Sequence, residues 1–410
     1  MADATLVVRQ SEHPIVSMLA TESRLFVQYQ LGGPSEIRVF DHAGHPVASP
    51  KQKPMSTVDG MSPLPGDRIL FTTVSYTEPL QTDLFDSQTE TTRPIPVFSE
   101  VSKSLRNVEV RREWATSKDG TRIPVNILYS AKVPQGQPAP CVIHGYGGYQ
   151  ESMTPDFDPS IQLLLDSGCH YAVVCTRGGY EFGQVWYEQG RLQQKQNVFD
   201  DFAAACQHLI SAGYTTSEKL GMIGYSNGGL LMGAMLTQHP KLFRTAVSLF
   251  GVYDMLRWES STNGRFNVTE FGTVKDPLLY RALRDYSPYH NVRSDVTYPS
   301  VLFITSANDP LVDPLQSRKM TARLQAVTRS SGPVLLVTGG KTGHFPVHEL
   351  ETAAYSFLLD QLGVRIGAGG LRRRIVCRQE ICRSNTMLQQ YYAAAGMSSP
   401  AMASISVSTI

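Results

Sequence analysis

The sequence predicts an α/β protein: a doubly wound, mostly parallel sheet preceded by a short all-β segment. Three observations carry that prediction. Up to about residue 110, apolar and polar residues alternate in short runs broken by turn signals. From 111 to 365 the pattern becomes strand, loop, helix, repeated, which implies a parallel sheet covered by helices on both faces. Within that stretch an apolar run leads into Gly224-Tyr225-Ser226-Asn227-Gly228 and then directly into a helical pattern.

In the first region, Arg24-Leu-Phe-Val-Gln-Tyr-Gln is followed by Gly32-Gly-Pro, then by Glu36-Ile-Arg-Val-Phe and Ala43-Gly-His-Pro. Arg68-Ile-Leu-Phe-Thr-Thr-Val and Gln81-Thr-Asp-Leu-Phe-Asp repeat the theme. Strands this short and close suggest the antiparallel blades of a propeller. There is room for roughly two blades of about 40–50 residues each, too few to close a ring. In the second region, Pro140-Cys-Val-Ile-His, Tyr171-Ala-Val-Val-Cys-Thr, Leu220-Gly-Met-Ile-Gly-Tyr, Thr245-Ala-Val-Ser-Leu-Phe, Ser300-Val-Leu-Phe-Ile-Thr and Val334-Leu-Leu-Val-Thr read as strands. Residues 200–212 and 227–239 read as helices. Residues 366–410 read as a poorly ordered tail that holds Arg372–Arg374 and a short helical pattern at 389–395.

A chain of 410 residues suits one large α/β domain plus additional material. A net charge of +1 points to neither nucleic acid nor an acidic membrane surface. No segment approaches the roughly 18 apolar residues of a membrane helix, and the first residues lack a signal-peptide pattern. A reducing, cytoplasmic setting is therefore expected. Of six cysteines, Cys141, Cys169, Cys175 and Cys206 sit in or beside apolar segments. Cys377 and Cys382 lie in the tail. No spacing suits a metal site or a disulfide framework, so no metal or other cofactor is expected.

The segment around Ser226 fits G-x-S-x-G, a sharp strand-to-helix turn that exposes a nucleophilic hydroxyl. Serine alone is a poor nucleophile and needs a base and an orienting acid. In this architecture the acid and then the histidine follow the serine. Asp309 stands directly after the strand at 301–305, at the sheet edge where sites in open α/β sheets form. Asp313, before Pro314, is its rival. His344 follows the strand at 334–338 in the loop Gly339-Gly-Lys-Thr-Gly-His; His348 falls on the next helix, and His290 precedes a strand. The backbone N–H of Asn227 is one expected oxyanion donor, and the loop His144-Gly-Tyr-Gly-Gly-Tyr stands where a second would arise.

These segments resemble the prolyl oligopeptidase family of serine peptidases over residues 107–363. The matching stretches include Ser117-Lys-Asp-Gly-Thr-Arg-Ile-Pro, Gly145-Tyr-Gly-Gly-Tyr, Arg177-Gly-Gly-Tyr-Glu-Phe-Gly, Lys195-Gln-Asn-Val-Phe-Asp-Asp-Phe, Gly224-Tyr-Ser-Asn-Gly-Gly, Gly251-Val-Tyr-Asp-Met-Leu, Tyr286-Ser-Pro-Tyr-His-Asn-Val and Asn308-Asp-Pro-Leu-Val. The resemblance implies an α/β-hydrolase domain with Ser226, Asp309 and His344 as its triad. It implies Tyr146 as a second oxyanion donor and Tyr149 as a lining of the S1 pocket. Two positions depart from the family's proline-specific members. Asn267, beside Phe266, stands where they stack a tryptophan on the substrate proline, and Leu311 stands where they place an arginine. Relatives also carry a seven-bladed propeller over the site; here a truncated or reduced lid is expected.

The leading reading is a peptidase that cleaves short peptides through an acyl-enzyme, with proline preference doubtful. Resolution by an amine in place of water, as in relatives that close peptide rings, is an alternative, and so is ester hydrolysis. A degenerate family member serving as an interaction module is the non-enzyme alternative. The sequence leaves the oligomeric state open.

Overall fold

The computed structural model describes residues 6–96, 104–134, 136–329, 332–340 and 342–365. The tail at 366–410, with its arginines, its helical pattern, Cys377 and Cys382, lies outside the described residues.

Two four-stranded antiparallel sheets come first. One joins β1 (Ile15–Ala20), β2 (Arg24–Gln30), β3 (Ser35–Asp41) and β4 (Pro46–Val47) in that order. The other joins β5 (Ser56–Leu64), β6 (Arg68–Ser75), β7 (Gln81–Asp86) and β8 (Thr91–Ile95). Side chains along β6 alternate between buried and half-buried, as a strand with one covered face requires. The inward set, Phe26, Ile37, Val39, Val58, Ile69, Phe71 and Phe85, forms a core shared by the two sheets.

The large sheet adds β9 (Val108–Thr116), β10 (Arg122–Ser130), β11 (Cys141–Gly145), β12 (His170–Val174), β13 (Leu220–Tyr225), β14 (Thr245–Leu249), β15 (Ser300–Ser306) and β16 (Val334–Gly339). Its order is β16-β15-β14-β13-β11-β12-β10-β9. Pairings from β16 through β12 are parallel, and those of β12 with β10 and β10 with β9 are antiparallel. Every residue of β12, β14 and β15 is buried, because helices cover both faces. The helix Gln196–Ser211 presents Val198, Phe199, Phe202, Cys206 and Leu209 to the core at helical spacing. It begins four residues before the expected start. In the helix Asn227–Gln238 the first ten residues are buried, so no polar face marks it.

Strands β1, β4, β5, β8, β9 and β10 are additional to the sequence expectation. Gly60 and Pro63 interrupt β5, and Glu109, Arg111, Arg112 and Glu113 hide β9, which can carry charge because it is the edge of the large sheet. Polar contacts join the small sheets to the large one. Arg112 Nη1 donates to the Leu31 carbonyl at 3.0 Å, the Gly32 amide donates to the Glu181 carbonyl at 3.1 Å, and Asn126 Nδ2 donates to the Tyr76 hydroxyl at 3.0 Å. Within the large sheet's unit, buried Arg177 binds both carboxylate oxygens of Asp201 at 2.9 and 2.6 Å, and Ser117 Oγ donates to Asp201 at 2.6 Å. No described helix is long and apolar enough to cross a membrane. Among the described residues no cluster of three His, Cys, Asp or Glu could hold a metal. The four described cysteines are buried free thiols.

Candidate active site

Parallel strands bring their C-terminal ends to one edge, and the expected triad residues and the two loop tyrosines each follow one of those ends. Tyr146 and Tyr149 follow β11, Ser226 follows β13, Asp309 follows β15 and His344 follows β16.

Ser226 is held at φ 55° and ψ −114°, a conformation costly for a residue with a Cβ. Its amide donates to the Leu249 carbonyl at 2.8 Å, which ties the turn to the neighbouring strand. The flanking glycines have a steric cause. A Cβ at Gly224 would overlap the Gly228 carbonyl, and one at Gly228 would lie 2.7 Å from the Gly145 carbonyl oxygen.

His344 Nε2 lies 3.0 Å from Ser226 Oγ, and His344 Nδ1 lies 2.7 Å from Asp309 Oδ2. Asp309 Oδ1 accepts the amides of Leu311 and Val312 at 2.8 and 2.9 Å, so the side chain is completely buried yet fully engaged. An ionised carboxylate only accepts, which puts the imidazole proton on Nδ1 and leaves the Nε2 lone pair facing the serine. Asp313 instead accepts the Leu315 amide at the start of the helix Leu315–Val327. His348 opens the helix His348–Gln361, and His290 pairs with Ser287 at 2.9 Å. The His344 ring is enclosed by Tyr225, Phe250 and Phe345, with centroids at 5.2, 5.5 and 6.0 Å. The Tyr225 hydroxyl also donates to the His344 carbonyl.

Asn227 begins its helix, so its amide has no acceptor one turn back within that helix. Its side-chain amide donates to the Tyr146 carbonyl at 2.6 Å. The Tyr146 ring edge passes beside Gly228, 3.6 Å from where a Cβ would stand. His144 points elsewhere: it bonds the Tyr171 hydroxyl at 3.2 Å, and burial drops its pKa to about 4.

In the expected specificity pocket, the Tyr149 hydroxyl donates to Asn267 Oδ1 at 2.6 Å, and Asn267 Nδ2 donates to the Asn263 carbonyl at 2.8 Å. Phe266 is 76% exposed. The ring that meets Tyr149, edge to face at 5.8 Å, is Phe271, four residues beyond Asn267. Leu311 contributes its amide to Asp309, and its side chain is half-buried. Sequence reasoning also missed Glu270 and the role of Lys195. These form a buried ion pair at 2.7 Å behind the Tyr146 loop, in which burial pulls the lysine below its ordinary pKa.

Chemically, such an arrangement can pass the Ser226 proton to His344 as the oxygen attacks a carbonyl, while Asp309 holds the imidazolium that forms.

The large sheet, the strained serine turn and the blade-like small sheets define an α/β-hydrolase preceded by propeller-type sheets. The profile described as the prolyl oligopeptidase family matches residues 155–364, and the chain belongs to that family. The prolyl endopeptidase of Elizabethkingia meningoseptica is 37% identical over 257 residues, which cover 61% of this chain and 36% of that protein. A structure from a mechanistic study of two prolyl endopeptidases aligns with a TM-score of 0.79 and 33% identity, over 87% of this chain and 54% of that one. Prolyl oligopeptidase B from Galerina marginata, bound to a 25mer macrocyclization substrate, aligns with a TM-score of 0.81 and 27% identity, over 88% of this chain and 52% of that one. The chain thus spans between about a third and about half of the length of these relatives.

Proposed function

We propose that this chain is a serine peptidase that cleaves short peptides through an acyl-enzyme. Ser226 is the nucleophile, His344 the general base and then acid, and Asp309 the group that orients the imidazole. The observation that carries the reading is the unbroken hydrogen-bond chain Ser226–His344–Asp309 beside a strained strand-to-helix turn. The Asn227 amide and the Tyr146 hydroxyl receive the oxyanion. Water then resolves the acyl-enzyme, with His344 as base. Resolution by an amine uses the same groups, and the macrocyclization substrate bound by the Galerina marginata relative makes it the second reading. The division into a β-rich partial propeller (1–110), a hydrolase domain (111–365) and a tail (366–410) belongs to the same proposal. So does a reducing cytoplasmic setting, which four buried free thiols favour.

The pocket accepts small or apolar residues before the scissile bond, with weak preference for proline. Asn267 has no ring to stack and its amide is engaged by Tyr149 and Asn263, and Leu311 offers no cation. Stacking contributes on the order of 1 kcal/mol beyond burial, and a charged hydrogen bond roughly 1.5–3 kcal/mol.

Ser226→Ala protein is expected to lose several powers of ten in turnover of activated esters and peptides, with its thermal midpoint preserved and fluorophosphonate labelling abolished. Undiminished turnover in the pure variant would overturn the assignment. For specificity, kcat/KM is compared for matched peptides with proline, alanine or leucine before the scissile bond. A proline preference above roughly a hundredfold, about 2.7 kcal/mol, would refute the broad pocket.

A further inference from the structure

The loop from Gly145 to Tyr149 carries both Tyr146 and Tyr149. It contains three glycines, and its Gly147 and Tyr149 adopt φ of 70° and 57°. A segment of this composition has many conformations open to it, so something outside the loop must select one. Among the groups that reach the loop is the buried pair of Lys195 and Glu270, whose side chains are 0% and 1% exposed.

Lys195 stands just before the helix Gln196–Ser211, and Glu270 lies in the short helix Val268–Phe271. Lys195 Nζ donates to the Gly147 carbonyl at 2.9 Å and to Glu270 Oε1 at 2.7 Å. Glu270 Oε2 accepts the Tyr149 amide at 3.2 Å and the Tyr187 hydroxyl at 3.0 Å. One pair therefore grips a carbonyl and an amide of the same loop, two residues apart. The Asn227 side chain holds the Tyr146 carbonyl between the nucleophile and that grip. Removing two charges from water is expensive, and an apolar pair of the same volume is often as stable or more so. Stability alone thus leaves the pair unexplained, whereas holding two opposite backbone groups at once is something an apolar pair cannot do.

We propose that Lys195 and Glu270 are positioning residues that set the loop so that the Tyr146 hydroxyl meets the developing oxyanion. The inference rests on the reading of Ser226 as nucleophile and Tyr146 as oxyanion donor. It adds two residues that never touch the substrate but act on the rate through Tyr146. Glu270→Gln disturbs the grip most selectively, since the amide keeps the shape and can still accept from Lys195, but turns its NH2 group toward the Tyr149 amide.

A double-mutant cycle tests this. Lys195→Met and Glu270→Gln are made singly and each together with Tyr146→Phe, and kcat and KM are measured on a chromogenic peptide substrate. Fluorophosphonate labelling of the wild-type protein and the thermal midpoints of all variants are measured in parallel. Each single variant is expected to lower kcat by up to about a hundredfold, the scale of a misplaced group, with KM changed less than about threefold. In the Tyr146→Phe background the same substitutions should lower kcat by less than about threefold, because the hydroxyl they position is gone. Equal factors in both backgrounds, or an effect confined to KM, would overturn the proposal. Should Lys195→Met fail to fold, the Glu270→Gln arm alone decides. Absence of labelling and turnover in the wild-type protein would instead overturn the serine-peptidase reading and the inference with it; labelling with independent effects overturns the inference alone.

Discussion

The two small sheets and the eight-stranded sheet bury their strands in opposite ways. In the small sheets one face of each central strand is covered, the sequence alternates, and the shared core is built from seven buried apolar side chains. In the large sheet the central strands are covered on both faces; in β15 residues 301–304 form a continuous apolar run and the polar residues stand at its two ends. The polar chemistry of the large sheet is therefore pushed to the ends of its strands, where chain leaves a rigid element and enters a loop. Ser226, Asp309 and His344 each stand at such an end, and parallel order makes the ends neighbours. The small sheets contribute none of these groups. Their exposed side chains include Ile15, Val16 and Met18 on edge strand β1, and their links to the large sheet include polar contacts.

The sharpest way to break this contrast is at Asp309. Asp309→Asn is expected to lower kcat/KM by about 10⁴, because the amide no longer enforces the tautomer of His344. Asp313→Asn, four residues away in the same loop, should change it by less than about threefold, the aspartate there serving only a helix start. Steady-state kinetics on the two variants settle the matter, and comparable losses would mean that the whole loop, and not one carboxylate, is at work.

A smaller effect, confined to the other region, is expected from Phe85→Ala. Phe85 is completely buried in the small-sheet core and meets Phe26 edge to face at 6.3 Å. Its truncation should cost about 3–5 kcal/mol of stability, read as a lower urea midpoint and faster amide exchange in β2 and β6. Turnover of a small activated ester under native conditions should stay within about twofold of wild type. A fall in ester turnover proportional to the loss of stability would show that the small sheets shape the site after all.

The seam between the regions gives the smallest effect and one that depends on pH. Glu181 is completely buried. Its Oε1 accepts the Met153 amide at 2.7 Å, and its carbonyl accepts the Gly32 amide from the small sheets. Desolvation lifts its carboxyl to about 7. Because the folded value is raised above the ordinary 4.5, the folded chain holds the proton more tightly than the unfolded chain. Its stabilising contribution is full below about pH 4.5 and is lost as pH rises through about 7, a swing of about 3 kcal/mol. The difference in unfolding free energy between wild type and Glu181→Gln, followed by urea titration from pH 4.5 to 8, should turn steadily against wild type and then level off. A difference that stays flat over that window would place the titration elsewhere.

Much of this architecture was legible in the sequence. The strands at 24–30, 81–86 and 220–225 have the bounds their patterns suggested. The change from alternation to continuous apolar runs marked where one kind of sheet gives way to another. Strands β5 and β9 were not legible, because a glycine and a proline interrupt one and four charged residues mask the other at the sheet edge.

The elbow and the residues flanking it are a local matter. Gly224 and Gly228 are needed because chain four residues away, or on the adjacent strand, occupies the space of a Cβ. A sequence can record such a demand within five positions, and it also records which loops follow which strands. The distances at which those loops meet were decided by the tertiary structure. The order of the strands sets Asp309, and not Asp313, against a histidine 35 residues later. It brings Phe271 to Tyr149 while Phe266 remains exposed, and it pairs Lys195 with a glutamate 75 residues away. The physical reason is that hydrophobic period and turn chemistry report the neighbours of a residue along the chain. A buried ion pair or an imidazole–carboxylate contact depends on distances across the sheet, and these exist only once every strand has taken its place.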